Sequence, residues 1–371
     1  MPPTAWFHMD AMRAALALTV AFGHLWGLLV EDYRPTDSLM VDAGYFLAGF
    51  AHSAVILFFV LSGYWIARSV TARAERGWQW GDYLIDRVAR LGIVLVPALV
   101  LGGALDWLGF RVLQLPTYDG STGAWVFTQD LTQSLTLRAL IGNLLFLQHL
   151  IVPPFGSNGP LWSLAFEFWY YLWFPAIYLA WRRRRPGIAL ATLGIALANP
   201  EIAFGFLSWL CGAALHGAER RWPELQLPHW TPVAAGLLCL AALLWGRTGE
   251  FGIEDPLEAA SFALFLFTLF RSDPPRLAAL RPLAVYGARA SFSLYAIHFP
   301  LIALAAGWLV GGTRLVPGGE AALAVGAILL LALAAAWLFA AQTEARTGAL
   351  RHWLRRQTPG RAGRAGDPPS R

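Results

Sequence analysis

The sequence predicts an all-α integral membrane protein of about ten transmembrane helices, N-in and C-in, with no large soluble domain. Three observations predict it. The chain is 57% apolar and only 14% charged over 371 residues, where a soluble protein carries about a quarter charged residues. Its apolar residues fall into blocks close to the roughly 20 residues that a helix needs to cross hydrocarbon. Its basic side chains, all arginine, sort by side.

The blocks are 12–30, 46–67, 91–109, 161–181, 187–198, 202–217, 231–246, 257–270, 291–311 and 321–341. The first, "MRAALALTVAFGHLWGLLV", follows an opening with no basic region and precedes no small-residue cleavage site, so it reads as a retained span rather than a signal peptide. The second carries Ser62–Gly63, a pair suited to close helix packing or a kink and without a visible acid–base partner. Arg87 and Arg90 open the third. The fifth and sixth are short and joined by the turn "NPE" at 199–201. The stretch "LRALIGNLLFLQHLIV" (137–152) is amphipathic at its start and reads as an interfacial or re-entrant helix in an external loop. Residues 1–345 thus form one transmembrane domain. The basic, Pro/Gly-rich tail 346–371 reads as disordered and cytoplasmic.

With the N-terminus inside, 23 of the 28 arginines fall on the cytoplasmic side, and only Arg34, Arg111, Arg138, Arg247 and Arg314 lie outside. That is the positive-inside bias of a multi-pass protein, and the net charge of +5 belongs to the inner face. Nucleic-acid binding is excluded as a reading, because the arginines are scattered over separate inner loops. Cys211 and Cys239 both fall in apolar runs, so no disulfide framework is expected. Without lysine there is no lysine chemistry, and no metal site is expected.

Ionisable groups inside a membrane are costly and mark function. Arg13 and His24 are eleven residues apart, almost three helical turns, and so share a stripe about 16 Å long. His24 falls near the middle of the bilayer and is the candidate general base. Arg87 and Arg90, three apart, share a face at the inner mouth of the third span, where planar guanidinium groups suit a phosphate-bearing ligand. Glu167 lies about 9 Å into the fourth span, close to His24 in depth, and is expected to pair with it or with an arginine. Tyr295 and His298 in the ninth span, and Trp162 at the start of the fourth, are candidates for acceptor positioning or structure.

Taken together, these stretches resemble the membrane-bound acyltransferase 3 family. "MDAMRAALALTVAFGH" is similar to the family's opening, with Arg13 and His24 matching its basic–x10–His motif. "FFVLSGYWIARS" resembles its second-span signature, and "RVAR" with Pro97 its Arg-x-x-Arg motif. "GPLWSLAFEFWYYLWFP" and "SFSLYAIHFP" resemble two later signatures, and Glu344 matches the acidic residue closing the tenth span. The resemblance implies O-acylation of an exported or polyprenyl-linked saccharide in a bacterial inner membrane. Acyl-CoA, most often acetyl-CoA, would be a co-substrate rather than a resident cofactor. His24 with Glu167 would be catalytic, and Arg13, Arg87 and Arg90 would hold the donor's phosphates. The sequence departs from many members at Ile56, Phe166, Phe168 and Trp169, which resembles the exopolysaccharide-modifying subgroup. Two other readings stay open: a transporter or flippase of a lipid-linked glycan, and the same fold using succinyl- or longer acyl-CoA.

Overall fold

The computed structural model describes residues 3–35, 37–183, 199–247, 251–272 and 277–357, and all regular elements among them are helical. The principal helices are α1 (Pro3–Leu29), α2 (Leu39–Ala48), α3 (Ala51–Arg76), α4 (Trp80–Trp107), α5 (Leu131–Ser134), α6 (Leu137–Leu144) and α7 (Trp162–Arg183). They continue as α8 (Pro200–Arg221), α9 (Thr231–Gly246), α10 (Glu254–Ser272), α11 (Ala288–Val310), α12 (Gly319–Gln342) and α13 (Thr347–Gln357).

Nine of the ten apolar stretches overlap described helices, and the tenth, 187–198, lies outside the described residues. Among the described residues, six helices are long and apolar enough to cross a membrane: Trp6–Leu29, Ala51–Arg76, Trp80–Val112, Pro200–Arg221, Leu283–Val310 and Gly319–Gln357. Leucines along α9 and α12, such as Leu237, Leu323 and Leu338, point outward, a surface suited to lipid and to no aqueous phase.

Two cores organise the bundle. One is aromatic and lies among α3, α7, α8 and α10, where Tyr64, Phe166, Tyr170, Trp173 and Trp209 are almost wholly buried. The other, among α1, α11 and α12, is built largely from small side chains such as Ala17, Ala21, Ala303, Ala306 and Ala336. Small residues let helix backbones approach closely where lipid offers no hydrophobic gain. The crossing of α3 and α8 is the sharpest case. A Cβ on Gly63 would lie 2.0 Å from the Trp209 carbonyl oxygen, and one on Gly212 would lie 1.9 Å from that of Val60. The glycine of the Ser62–Gly63 pair is therefore a packing residue.

The chain before α7 is locked from both sides. Asp106, fully buried on α4, accepts from the Ser157 backbone N–H and hydroxyl, each at 2.7 Å. Asn158 donates to the Ala296 carbonyl at 2.9 Å and Gln148 to the Leu161 carbonyl at 2.9 Å. These bonds fix where α7 begins, and with it the depth of Glu167.

Two local expectations change. The stretch 137–152 is helical only over Leu137–Leu144; Phe146 and His149 then take positive φ, of 57° and 63°. A left-handed turn at non-glycine residues ends the helix there. The expected disorder from residue 346 does not hold for Thr347–Gln357, which forms α13. Arg351 and Arg355, one turn apart, reach Asp86 of α4 at 3.2 and 2.9 Å, and Arg73 closes on the same carboxylate. Asp86 is buried, and composition gives no sign that it would collect three arginines.

Candidate functional site

A cavity of about 490 Å³ opens between the two cores, lined from α1, α3, α4, α7 and α11. Three arginines face it, each placed by a different contact. Arg13 reaches the Ser291 hydroxyl at 3.4 Å and Asp10 at 3.6 Å. Arg90 lies over the Phe292 ring at 5.8 Å, the residue next to Ser291. Arg87 lies over Tyr83 and Tyr171 at 5.5 and 5.8 Å. Stacking on aromatic faces leaves the edges of a guanidinium available to a planar or tetrahedral anion. Glu344 supports this wall from behind, accepting from the Ser293 backbone N–H and hydroxyl at 2.9 and 2.6 Å. The three arginines expected to act together do share one cavity.

Glu167 also lines the cavity, but not beside His24. Its Oε1 accepts from the Ser62 hydroxyl and from the Tyr171 hydroxyl, both at 2.5 Å. The Trp209 indole N–H points at Ser62 Oγ from 3.3 Å. Tyr171 follows Glu167 by one turn of α7, so the two share a face, and Tyr83 of α4 pins that turn by donating to the Tyr171 carbonyl at 2.9 Å.

His24 pairs with His298 instead, Nδ1 to Nε2 at 2.9 Å, and neither residue lines the cavity. The expected His24–Glu167 pair is therefore corrected. Equal depth along two helices does not set their rotation, and rotation sends the two side chains apart. The surroundings of His298 assign the protons. Its Nδ1 faces the carbonyl oxygens of Tyr295 at 2.8 Å and Leu294 at 3.2 Å. Carbonyls only accept, so Nδ1 carries the hydrogen and Nε2 carries the lone pair. His24 Nδ1 must then donate, which leaves His24 Nε2 with the lone pair and no hydrogen-bond partner among the described residues. His298 thus holds the tautomer and orientation of His24.

Tyr295 forms the wall between the two groups. It lines the cavity, and its ring lies 5.9 Å from that of His298. Its hydroxyl donates to the Pro160 carbonyl at 2.8 Å and also meets Ser163. On the other side of the imidazoles, Phe299 packs on His24 at 5.3 Å and on Phe127 at 5.8 Å. Phe127 lines a second hollow of about 460 Å³ formed by residues 110–132. Trp162 is not on the cavity. It packs among Phe59, Phe166, Phe251 and His52, a structural aromatic cluster at the head of α7.

Sequence reasoning found His24, Glu167 and the arginines. It placed Ser62 in helix packing for want of an acid–base partner, and gave no role to Tyr171, Ser163 or Trp209. The signal for Tyr171 was there, four residues after Glu167. Ser62 and Glu167 are 105 residues apart, and no spacing rule connects them.

A sequence model of the acyltransferase 3 family, described as an acyltransferase domain, matches residues 6–341. Comparison with curated proteins and with solved structures finds no match.

Proposed function

The chain belongs to the acyltransferase 3 family, and from that premise we propose that it transfers an acyl group, most readily acetyl, from cytoplasmic acyl-CoA to a hydroxyl of an exported or lipid-linked saccharide. One observation carries this reading: three arginines and a carboxylate–hydroxyl pair converge on a single cavity between the cores. The arginine bias supports an N-in, C-in arrangement, which we place in a bacterial inner membrane with about ten spans.

In this reading the donor's phosphates sit against Arg13, Arg87 and Arg90. Its pantetheine arm runs inward, and the thioester comes to rest by Glu167 and Ser62. The acceptor hydroxyl approaches from the side of the 110–132 loop, where His24 Nε2 takes its proton as it attacks the acyl carbon. Binding donor and acceptor together turns an encounter of two solutes into a step within one complex. His298 is a positioning residue for that base.

The test is transfer itself. Protein purified in detergent, given acetyl-labelled acetyl-CoA and an envelope glycan extract, is expected to release CoA and label a saccharide. A preparation that leaves acetyl-CoA intact overturns the donor assignment. CoA release with the label moved to lipid alone overturns the saccharide acceptor.

A further inference from the structure

Side-chain hydroxyls in membrane helices ordinarily close back on their own helix, bonding a carbonyl one turn earlier. Thr19, Ser208, Ser261, Thr268 and Ser291 all do so here, with carbonyls of Ala15, Phe204, Glu258, Phe265 and Ala288. Ser62 does not. Its hydroxyl turns into the cavity, 2.5 Å from Glu167 Oε1, with Tyr171 OH at 3.4 Å and Trp209 Nε1–H at 3.3 Å. The adjoining Gly63 allows the α8 backbone to approach closely enough to bring Trp209 there.

A nucleophile within hydrogen-bond reach of a base, the base itself oriented by a third group, is the geometry of covalent catalysis. Ser62, Glu167 and Tyr171 meet it, and all three line the cavity that carries the arginines. We propose that Ser62 is an acyl carrier: the acyl group passes from the thioester to Ser62 Oγ before it reaches the acceptor. This rests on the acyl-CoA reading given above.

The step balances without any further reactant. Ser62 Oγ adds to the thioester carbonyl carbon while its proton moves to Glu167. The C–S bond breaks and CoA leaves as thiolate, an acceptable leaving group because a thiol ionises near a pKa of about 8.5. An ester on Ser62 and a protonated Glu167 remain. In the second half the acceptor hydroxyl adds to that ester and gives its proton to His24. Glu167 returns its proton to Ser62 Oγ as the ester bond breaks. His24 later releases its proton to water, where the thiolate takes one up. Trp209 N–H steadies the Ser62 oxygen when it carries charge, while Tyr171 OH holds Glu167.

The experiment uses the full chain in detergent with acetyl-labelled acetyl-CoA and no saccharide, quenched in acid and mapped by peptide mass. The wild type is expected to carry one acetyl group on the peptide holding Ser62. His24→Ala is expected to accumulate that label, since only its second half-reaction is blocked. Ser62→Ala should carry no label and lose at least a hundredfold in saccharide transfer, while binding CoA as tightly as the wild type by calorimetry. Ser62→Cys should become labelled through a thioester cleaved by neutral hydroxylamine, which guards against a variant that merely fails to fold. A Ser62→Ala protein that transfers acetyl at the wild-type rate overturns the proposal, as does label mapped to His24. Those results leave the acyl-CoA reading standing. A wild type that neither releases CoA nor takes up label overturns both.

Discussion

Two of the polar groups inside the described bundle, the one on the cavity and the one beside it, are built differently. The carboxylate group, Ser62–Glu167–Tyr171, lines an open cavity and shares it with three arginines. The imidazole group, His24–His298, sits outside that lining, packed against Phe299, and its hydrogen bonds run to backbone carbonyls of its own helix. The first has room for a ligand and charge to hold one. The second has a fixed tautomer and one free nitrogen. The contrast teaches that a ligand-sized cavity and an oriented imidazole can be separate constructions, with Tyr295 between them, and that closeness in membrane depth does not make two residues partners.

The largest test of that separation is His24→Ala, expected to lower saccharide transfer by about 10²–10⁴-fold, the range for losing a general base. The Michaelis constant for acetyl-CoA should stay near its original value, because the donor cavity is untouched. A large rise in that constant would mean the two groups are one site.

His298→Leu comes next. It removes the acceptor of the His24 Nδ1 hydrogen, so His24 keeps its base but loses its orientation, and kcat should fall about 10²-fold, as for a small misplacement. Combining it with His24→Ala should cost little more than His24→Ala alone, since a positioning residue has nothing left to position.

Arg87→Gln and Arg90→Gln act on the other group. Each removes a charge-assisted hydrogen bond to phosphate, about 1.5–3 kcal/mol, so the donor constant should rise roughly tenfold or more with kcat nearly unchanged. Combined with His298→Leu, the Arg87 effect should add to within about 0.5 kcal/mol, as for residues without shared partners. Strong coupling between them would join the two regions after all.

The smallest effect on chemistry, though not on the fold, is expected from Gly212→Ala. The added methyl meets the Val60 carbonyl and the Tyr64 backbone nitrogen, neither of which is a flexible side-chain end. Stability should fall by about 1–3 kcal/mol, read as a lowered unfolding temperature. Activity per folded molecule should drop in the carboxylate group only, through Trp209 and Ser62.

How much of this the residues disclosed can be argued from particular cases. Arg13, Arg87 and Arg90 were legible as one set only through the family resemblance, because arginines at inner helix ends also read as ordinary positive-inside charge; the cavity gathers all three. His24 and Glu167 stood out by the cost of an ionisable group inside a membrane, yet their expected pairing was wrong. Ser62 was set aside for want of a visible acid–base partner, because a serine in a helix is ordinary until its hydroxyl is seen turned toward Glu167. Asp86 was equally silent: a carboxylate beside Arg87 gives no hint that Arg351 and Arg355, more than 260 residues later, will close on it.

The sequence by itself determined the helical, lipid-facing character of the chain, most of its helix positions, and the identities of the ionisable residues inside it. These are one-dimensional properties, because block length and hydropathy follow from local composition. The tertiary structure alone decided who meets whom. The rotation of α1, α3, α7 and α11 about their axes is set by where small residues such as Gly63 and Gly212 let backbones touch. That rotation gave His24 to His298 and Glu167 to Ser62. A helix's depth can be counted from its residues, but the direction of its side chains depends on its neighbours.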